Sequence, residues 1–205
     1  IDVTAVDDGP IVANQITDIN VDEDADDSTI DLTNTFNDID NDNNEIVKTV
    51  ESNTNSSLLT ATITGDTLTL DYQDDQNGSV DITIRGTSNG KTVDDTFTVT
   101  VNAVNDKPVV TAVADITEDE GTEVTPGDIS FTDVDLTDSG STESHTATVD
   151  WGDGSSVKDL TTVTSPFGPG SHIYSDDGEY TVTVTVTDSN NSSSQATFTV
   201  TVKDL

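Results

Sequence analysis

The 205-residue chain has no Cys, no Met and one Trp, and sets only 6 Lys or Arg against 41 Asp or Glu, a formal net charge of −35. Without Cys there is no disulfide framework, no thiolate metal site and no Cys nucleophile, and the redox compartment stays open. The shortage of basic side chains excludes nucleic acid as a partner, because phosphates are repelled within the screening length. No apolar run approaches the roughly 20 residues of a spanning helix, so membrane insertion is not expected. The chain opens at Ile1 with neither a secretion leader nor an initiator Met and is expected to be a segment of a longer protein. His145 and His172 are the only histidines, and no G-x-S-x-G, H-E-x-x-H or phosphate-binding glycine loop occurs, so no enzyme is expected. Carboxylate pairs suited to glycoside hydrolysis are too common in this sequence to carry information.

What is present is mostly aspartate: 33 of the 41 acidic residues are Asp. Asp prefers turns, caps and metal loops to helices. An apolar fraction of 31% with this net charge points toward disorder, yet period-two alternation overrules that reading. Residues 59–63, 67–72, 80–84, 96–101, 146–151, 180–187 and 197–202 alternate β-branched or aromatic side chains with polar ones. In residues 181–187 one face is all Val and the other all Thr, as in a half-buried antiparallel strand. Turn clusters such as Gln76-Asn77-Gly78 and Asp176-Asp177-Gly178 separate the strands, and no segment shows helical spacing. The expected class is all-β, with strands at sandwich-like spacing.

The chain repeats itself. Residues 3–12 match 101–110 at an offset of 98, Phe36-Asn-Asp38-Ile-Asp40 matches Phe131-Thr-Asp133-Val-Asp135 at 95, and the T-F-T-V-T-V run at Thr96 recurs at Thr197 at 101. A unit of this length is close to one immunoglobulin-like sandwich. The expected organisation is two tandem immunoglobulin-like β-sandwiches joined by a short linker. Residues 1–8 form the tail of a preceding repeat, 9–104 the first sandwich and 105–205 the second, with Asn105-Asp106-Lys107-Pro108 as the hinge. Trp151 is expected in the second core, with Gly152 and Gly154 at positive φ in the turn after it. Tyr180 is placed like a tyrosine corner, where the first sandwich has Val80.

These residues also resemble known families. Asp150-Trp151-Gly152-Asp153-Gly154, the H-x-Y at His172 and the D-G-x-Y at Asp177, followed by a Val/Thr strand ending at Asp188, resemble the polycystic kidney disease (PKD) domain across the second repeat. The first resembles a bacterial cadherin-like repeat of the dystroglycan type, through V-D-E-D at Val21, F-x-D-x-D at Phe36 and V-N-D-x-P at Val104. Both resemblances imply immunoglobulin-like sandwiches of extracellular and cell-surface proteins, with His172 structural.

Clustered carboxylates repel, each close pair by on the order of 4 kcal/mol at an effective dielectric near 20. Confined to loop tips, they suit Ca²⁺, which takes 6–8 oxygen ligands in a flexible shell. Asp38-x-Asp40 and Asp133-x-Asp135 occupy one equivalent loop, and alternate residues of D-x-D reach one ion. In a sandwich this loop meets the incoming linker and the last hairpin. For the second repeat these three segments carry Asn105 and Asp106, Asp133 and Asp135, and Asp188. The cadherin and PKD resemblances imply the same set as calcium ligands, and by analogy Glu23 stands where cadherins carry a glutamate that completes the shell. The first repeat offers Asp7, Asp8, Asp38 and Asp40, with Ser88 where the family has Asp, so its site is expected to be weaker or empty. An EF-hand over residues 38–49 fails, with Asn43 in place of the turn Gly and Thr49 in place of the final Glu. The bland alternative is that all these residues are solvated turns on an acid-rich surface.

The function expected is a calcium-stiffened adhesin or spacer at the bacterial cell surface, partnered by neighbouring repeats and by a cell-surface protein or polysaccharide. One alternative is an accessory carbohydrate- or protein-binding pair from a secreted degradative enzyme, which calls for an exposed aromatic row. Another is halophilic acidity with no specific ion.

Overall fold

A computed structural model describes residues 6–111, 113–137 and 142–205; residues 1–5 of the expected leading tail lie outside them. The chain divides into two compact units, Ile1–Val104 and Asn105–Leu205. Both are all-β and immunoglobulin-like. Among the described residues the helical turns are the 3-10 segments Asn43–Glu45 and Asp135–Thr137, each beside a D-x-D loop.

In the first unit a four-stranded sheet orders Ile19–Asp22, Lys91–Asn102, Gly78–Ser88 and Val47–Asn53. A three-stranded sheet orders Ser28–Asp31, Thr67–Tyr72 and Leu59–Thr64. The alternation dictates how they stack. Ile82, Ile84, Phe97, Val99 and Val101 point inward from the first sheet to meet Leu59, Leu68, Leu70 and Tyr72 of the second in one buried cluster. The threonines between them keep the outer face polar, as a sheet with one wet side requires. Val47–Asn53 escapes a pattern search because its inner face carries Lys48, whose side chain is 2% exposed and reaches Asp66 on the other sheet's hairpin at 2.5 Å.

The second unit has a five-stranded sheet ordered Ile116–Asp119, Ser193–Lys203, Gly178–Asp188, His145–Asp150 and Lys158–Val163. Val182, Val184 and Val186 alternate with threonines and pack with Phe198, Val200 and Val202 against Val124, Ile129, Phe131, Phe167 and Tyr174. The first long strand of each unit runs parallel to the last, Ile19 beside Val99 and Ile116 beside Val200. Short ribbons, Ile11–Val12 with Phe36–Asn37 and Val109–Thr111 with Ser130–Thr132, tie each linker to the strand leading into the D-x-D loop.

Trp151 is buried, and its ring stacks on His172 at 5.0 Å and 9°. The Tyr174 hydroxyl donates to the Trp151 carbonyl at 2.9 Å, and Tyr180 stacks on Tyr174 and donates to the carbonyl of Asp176 at 3.0 Å, a tyrosine corner. Gly152 has φ +77° and presses on the neighbouring strand, since a Cβ there would lie 2.3 Å from the Thr181 carbonyl oxygen. Gly154 has φ +80° with open space around it. Gly152→Ala is therefore expected to cost about 2–3 kcal/mol and Gly154→Ala about 1 kcal/mol. Urea titration of the two variants checks this, and equal losses would refute the close-approach argument.

Burial works against the Asp153 charge, but hydrogen bonds from Ser155 and His172 outweigh it and hold its pKa at about 2, against an ordinary 3.8. The folded value is depressed, so this carboxylate's contribution is whole above the unfolded value and is lost as pH falls toward about 2. Asp153→Asn is expected to flatten that part of the stability–pH curve. Parallel curves for variant and wild type in acid titrations would count against it.

Candidate metal centres at the loop poles

Each pole is anchored by a phenylalanine. Phe36 lies flat on Gly86, where a Cβ would sit 2.8 Å from the ring, and this fixes the chain entering Asp38-Ile39-Asp40. Asp38 is buried, and its Oδ1 accepts the Asp40 N–H at 2.9 Å, closing the turn. Asp40 Oδ2 in turn accepts the Asp8 N–H at 2.7 Å, which brings the linker in. Asp7 Oδ1 accepts from Asn89 Nδ2 at 2.9 Å, and the same amide reaches Asn41 Oδ1 at 3.2 Å. Hydrogen bonding from the Asp40 N–H and Ser88 lowers the Asp38 pKa, and Asn89 and Lys91 lower that of Asp7. Asp38 Oδ2 is buried and has no hydrogen-bond partner.

The second unit repeats these bonds. Asp133 is buried and its Oδ1 accepts the Asp135 N–H at 3.3 Å; Asp135 Oδ2 accepts the Asp106 N–H at 2.9 Å. Asp188, buried at the end of Gly178–Asp188, accepts the backbone N–H groups of Asn190 and Ser192 on Oδ1, each at 2.8 Å. Its Oδ2 accepts from Asn105 Nδ2 at 3.0 Å, while Asn105 Oδ1 accepts from the Asn190 amide. Asn105, Asp106, Asp133, Asp135 and Asp188 thus form one hydrogen-bonded group, as Asp7, Asp8, Asp38 and Asp40 cluster at the first pole. Glu23, in the first unit, is buried and accepts the Val104 N–H on Oε1 at 2.6 Å and the Asn77 amide on Oε2 at 3.4 Å.

Beyond Ser88, pattern reading missed residues that make the poles differ. Lys91 ion-pairs with Asp7 Oδ2 at 2.9 Å and also donates to the Asp7 carbonyl. Lys91 lies opposite Ser88 across its hairpin. The corresponding pair in the second unit is Asp188 with Ser192. Going from second unit to first, Asp to Ser removes one negative charge and Ser to Lys adds a positive one. In the second pole, His145 Nε2 lies 2.8 Å from Asp133 Oδ2 and its ring packs on Phe131 at 4.7 Å. Glu143 joins them: burial first, then Asp133 and Asp135, raise its pKa above the ordinary range. A column-by-column alignment of the two repeats would have exposed Lys91 and His145; D-x-D spacing does not.

The oxygen-only linker, loop and hairpin donors suit calcium, and the orphaned Asp38 Oδ2 points the same way at the first pole. Lys91 there already supplies one positive charge. Removing a unit charge about 6 Å from a divalent ion in water is worth about tenfold in affinity. Lys91→Ser is therefore expected to strengthen calcium binding at the first pole by about that factor in calorimetry, with the second pole unchanged. An unaltered isotherm would show that Lys91 does not oppose an ion.

Residues 105–202, nearly the whole second unit, match the family model of the PKD domain. No curated protein sequence matches the chain. Among solved structures, the protocadherin fragment PcdhgB3 EC1-4 is similar with a TM-score of 0.53 at 19% identity, over 99% of this chain and 51% of that one, which shows a shared fold. The PKD domain of an M14-like peptidase from Thermoplasmatales archaeon SCGC AB-540-F20 is 25% identical with a TM-score of 0.34, over 48% of this chain and 98% of that one. The endo-fucoidan hydrolase MfFcnA4 of glycoside hydrolase family 107 is 18% identical with a TM-score of 0.40, over 97% of this chain and 29% of that one. The chain thus spans about a third to half the length of the larger proteins it resembles.

Proposed function

We propose that this chain is a calcium-binding segment of an extracellular adhesin or spacer at a bacterial surface, with its principal ion at the second unit's pole. The observation that carries this is the meeting of Asn105 and Asp106, Asp133 and Asp135, and Asp188, from three separate segments, through direct hydrogen bonds. Each carboxylate oxygen has two lone pairs, so one can accept an N–H and still face a cation. The first pole, with Asp7, Asp8, Asp38 and Asp40 beside Lys91, is the weaker site. Binding Asn105 and Asp106 to the second unit's own loops removes freedom from the link after Val104, which is how an ion would stiffen the chain. PKD and cadherin-like domains are typically extracellular and non-catalytic, which supports a mechanical role. Among the described residues no helix is long and apolar enough to cross a membrane. Neighbouring repeats and a cell-surface protein or polysaccharide are the partners such a segment would meet. For the sugar-stacking alternative, Trp151, Tyr174 and Tyr72 are buried and the half-buried Tyr180 stacks on Tyr174, so these rings offer no exposed row.

Thermal melts in millimolar CaCl₂, in EGTA and in NaCl of matched ionic strength test the proposal. Calcium at a hundred times its Kd adds about 2.7 kcal/mol to stability, a shift of several degrees. Asp188→Asn is expected to lose most of that gain. If NaCl reproduces the calcium response, the acidity is a general salt adaptation and the proposal fails.

A further inference from the structure

One buried group at the second pole falls outside the oxygen set. His145 is 2% exposed, and its Nε2 lies 2.8 Å from Asp133 Oδ2, an atom of a side chain with no solvent exposure. One ligand atom each from Asp133, Glu143 and His145 lie within 4.8 Å of one another. The fold does not require an imidazole at this place. His145 opens its strand opposite Asp188, and the first unit fills the corresponding position, before Val47 opposite Thr87, with Ile46, which is 3% exposed. The second unit has therefore exchanged an apolar core residue for a nitrogen donor in the same pocket where burial and like charge already crowd Asp133 and Glu143.

We propose that Asp133, Glu143 and His145 form a site for a divalent transition ion of the zinc class. The donor chemistry sets the class. Calcium takes oxygen ligands at about 2.3–2.6 Å, whereas imidazole with carboxylates suits Zn²⁺, Co²⁺ or Ni²⁺. Tetrahedral bonds of about 2.0–2.1 Å set ligand atoms about 3.3 Å apart, a little wider than the observed 2.8 Å between His145 and Asp133 and inside the 4.8 Å that contains all three atoms. Closing the site asks His145 and Asp133 to part by about half an ångström and Glu143 to swing inward on its three rotatable bonds. On binding, Nε2 gives up any hydrogen shared with Asp133, and the imidazole keeps its proton on Nδ1. Water takes the fourth position. Neither Glu143 nor His145 belongs to the proposed calcium set, so the inference does not rest on calcium binding; Asp133 is common to both sites, so the two ions compete or couple there.

Only two histidines are present, which makes the test direct. Zinc chloride is titrated into the full 205-residue chain while the imidazole nitrogens of His145 and His172 are followed by NMR. The expected result is a saturable shift of His145 at one equivalent of zinc, with His172, stacked on Trp151, unmoved. In calorimetry His145→Gln is expected to weaken zinc binding by about 10–100-fold, with Glu143→Gln acting in the same direction. The calcium response of His145→Gln should persist, which separates this site from the calcium pole. Should His145→Gln fold poorly, the wild-type NMR titration decides alone. His145 resonances unmoved by zinc, or equal zinc affinity in wild type and a folded His145→Gln, would overturn the proposal.

Discussion

Carboxylates held a few ångströms apart repel by several kcal/mol once water is partly excluded. Both units of this protein nevertheless place theirs together, at the one end where linker, D-x-D loop and last hairpin converge. The arrangement tolerates this because backbone N–H groups point into it: Asp8 onto Asp40, Asp106 onto Asp135, and Asn190 with Ser192 onto Asp188. Such bonds to an ionised acceptor are stronger than neutral ones and favour the charged form. They remove neither the charge nor the remaining lone pairs.

The two units solve that problem differently. In the first, Lys91 brings a cation from within the chain and Ser88 omits a carboxylate, and Asp38 Oδ2, with Ile46 in place of the histidine, is buried without a partner. In the second, Asp188 keeps its charge and His145 sits against Asp133. The two units share the backbone scheme, including the linker N–H to the second Asp of D-x-D, while the side chains around it differ. The scaffold needs only the anchoring Phe, the turn-closing Asp and the strand register.

The fold was widely legible in the amino-acid order, since alternation of Val, Ile and Leu with Thr admits one way of burying a face. It failed where an inward position is polar. Val47–Asn53 hides behind Lys48, whose ammonium is buried only because Asp66 arrives from the other sheet. The short ribbons at Ile11–Val12 and Val109–Thr111 are two or three residues long, below any periodic signal. At the poles, Asp38, Asp40, Asp133 and Asp135 were legible because D-x-D follows a recurring Phe. Lys91, Glu143 and His145 were not, because each reaches the pole across a hairpin or from a strand end.

By itself, the order of residues determined the β class, the repeat and the concentration of oxygen donors in turns. These follow from local rules: two-residue periodicity, turn preference and self-similarity. Only the tertiary structure decided which donors share a pole, that Glu23 accepts the Val104 N–H, that Lys91 stands over Asp7, and that an imidazole faces Asp133. Those contacts join residues far apart in the chain, and the packing that sets their distances exists only once the sheets have closed.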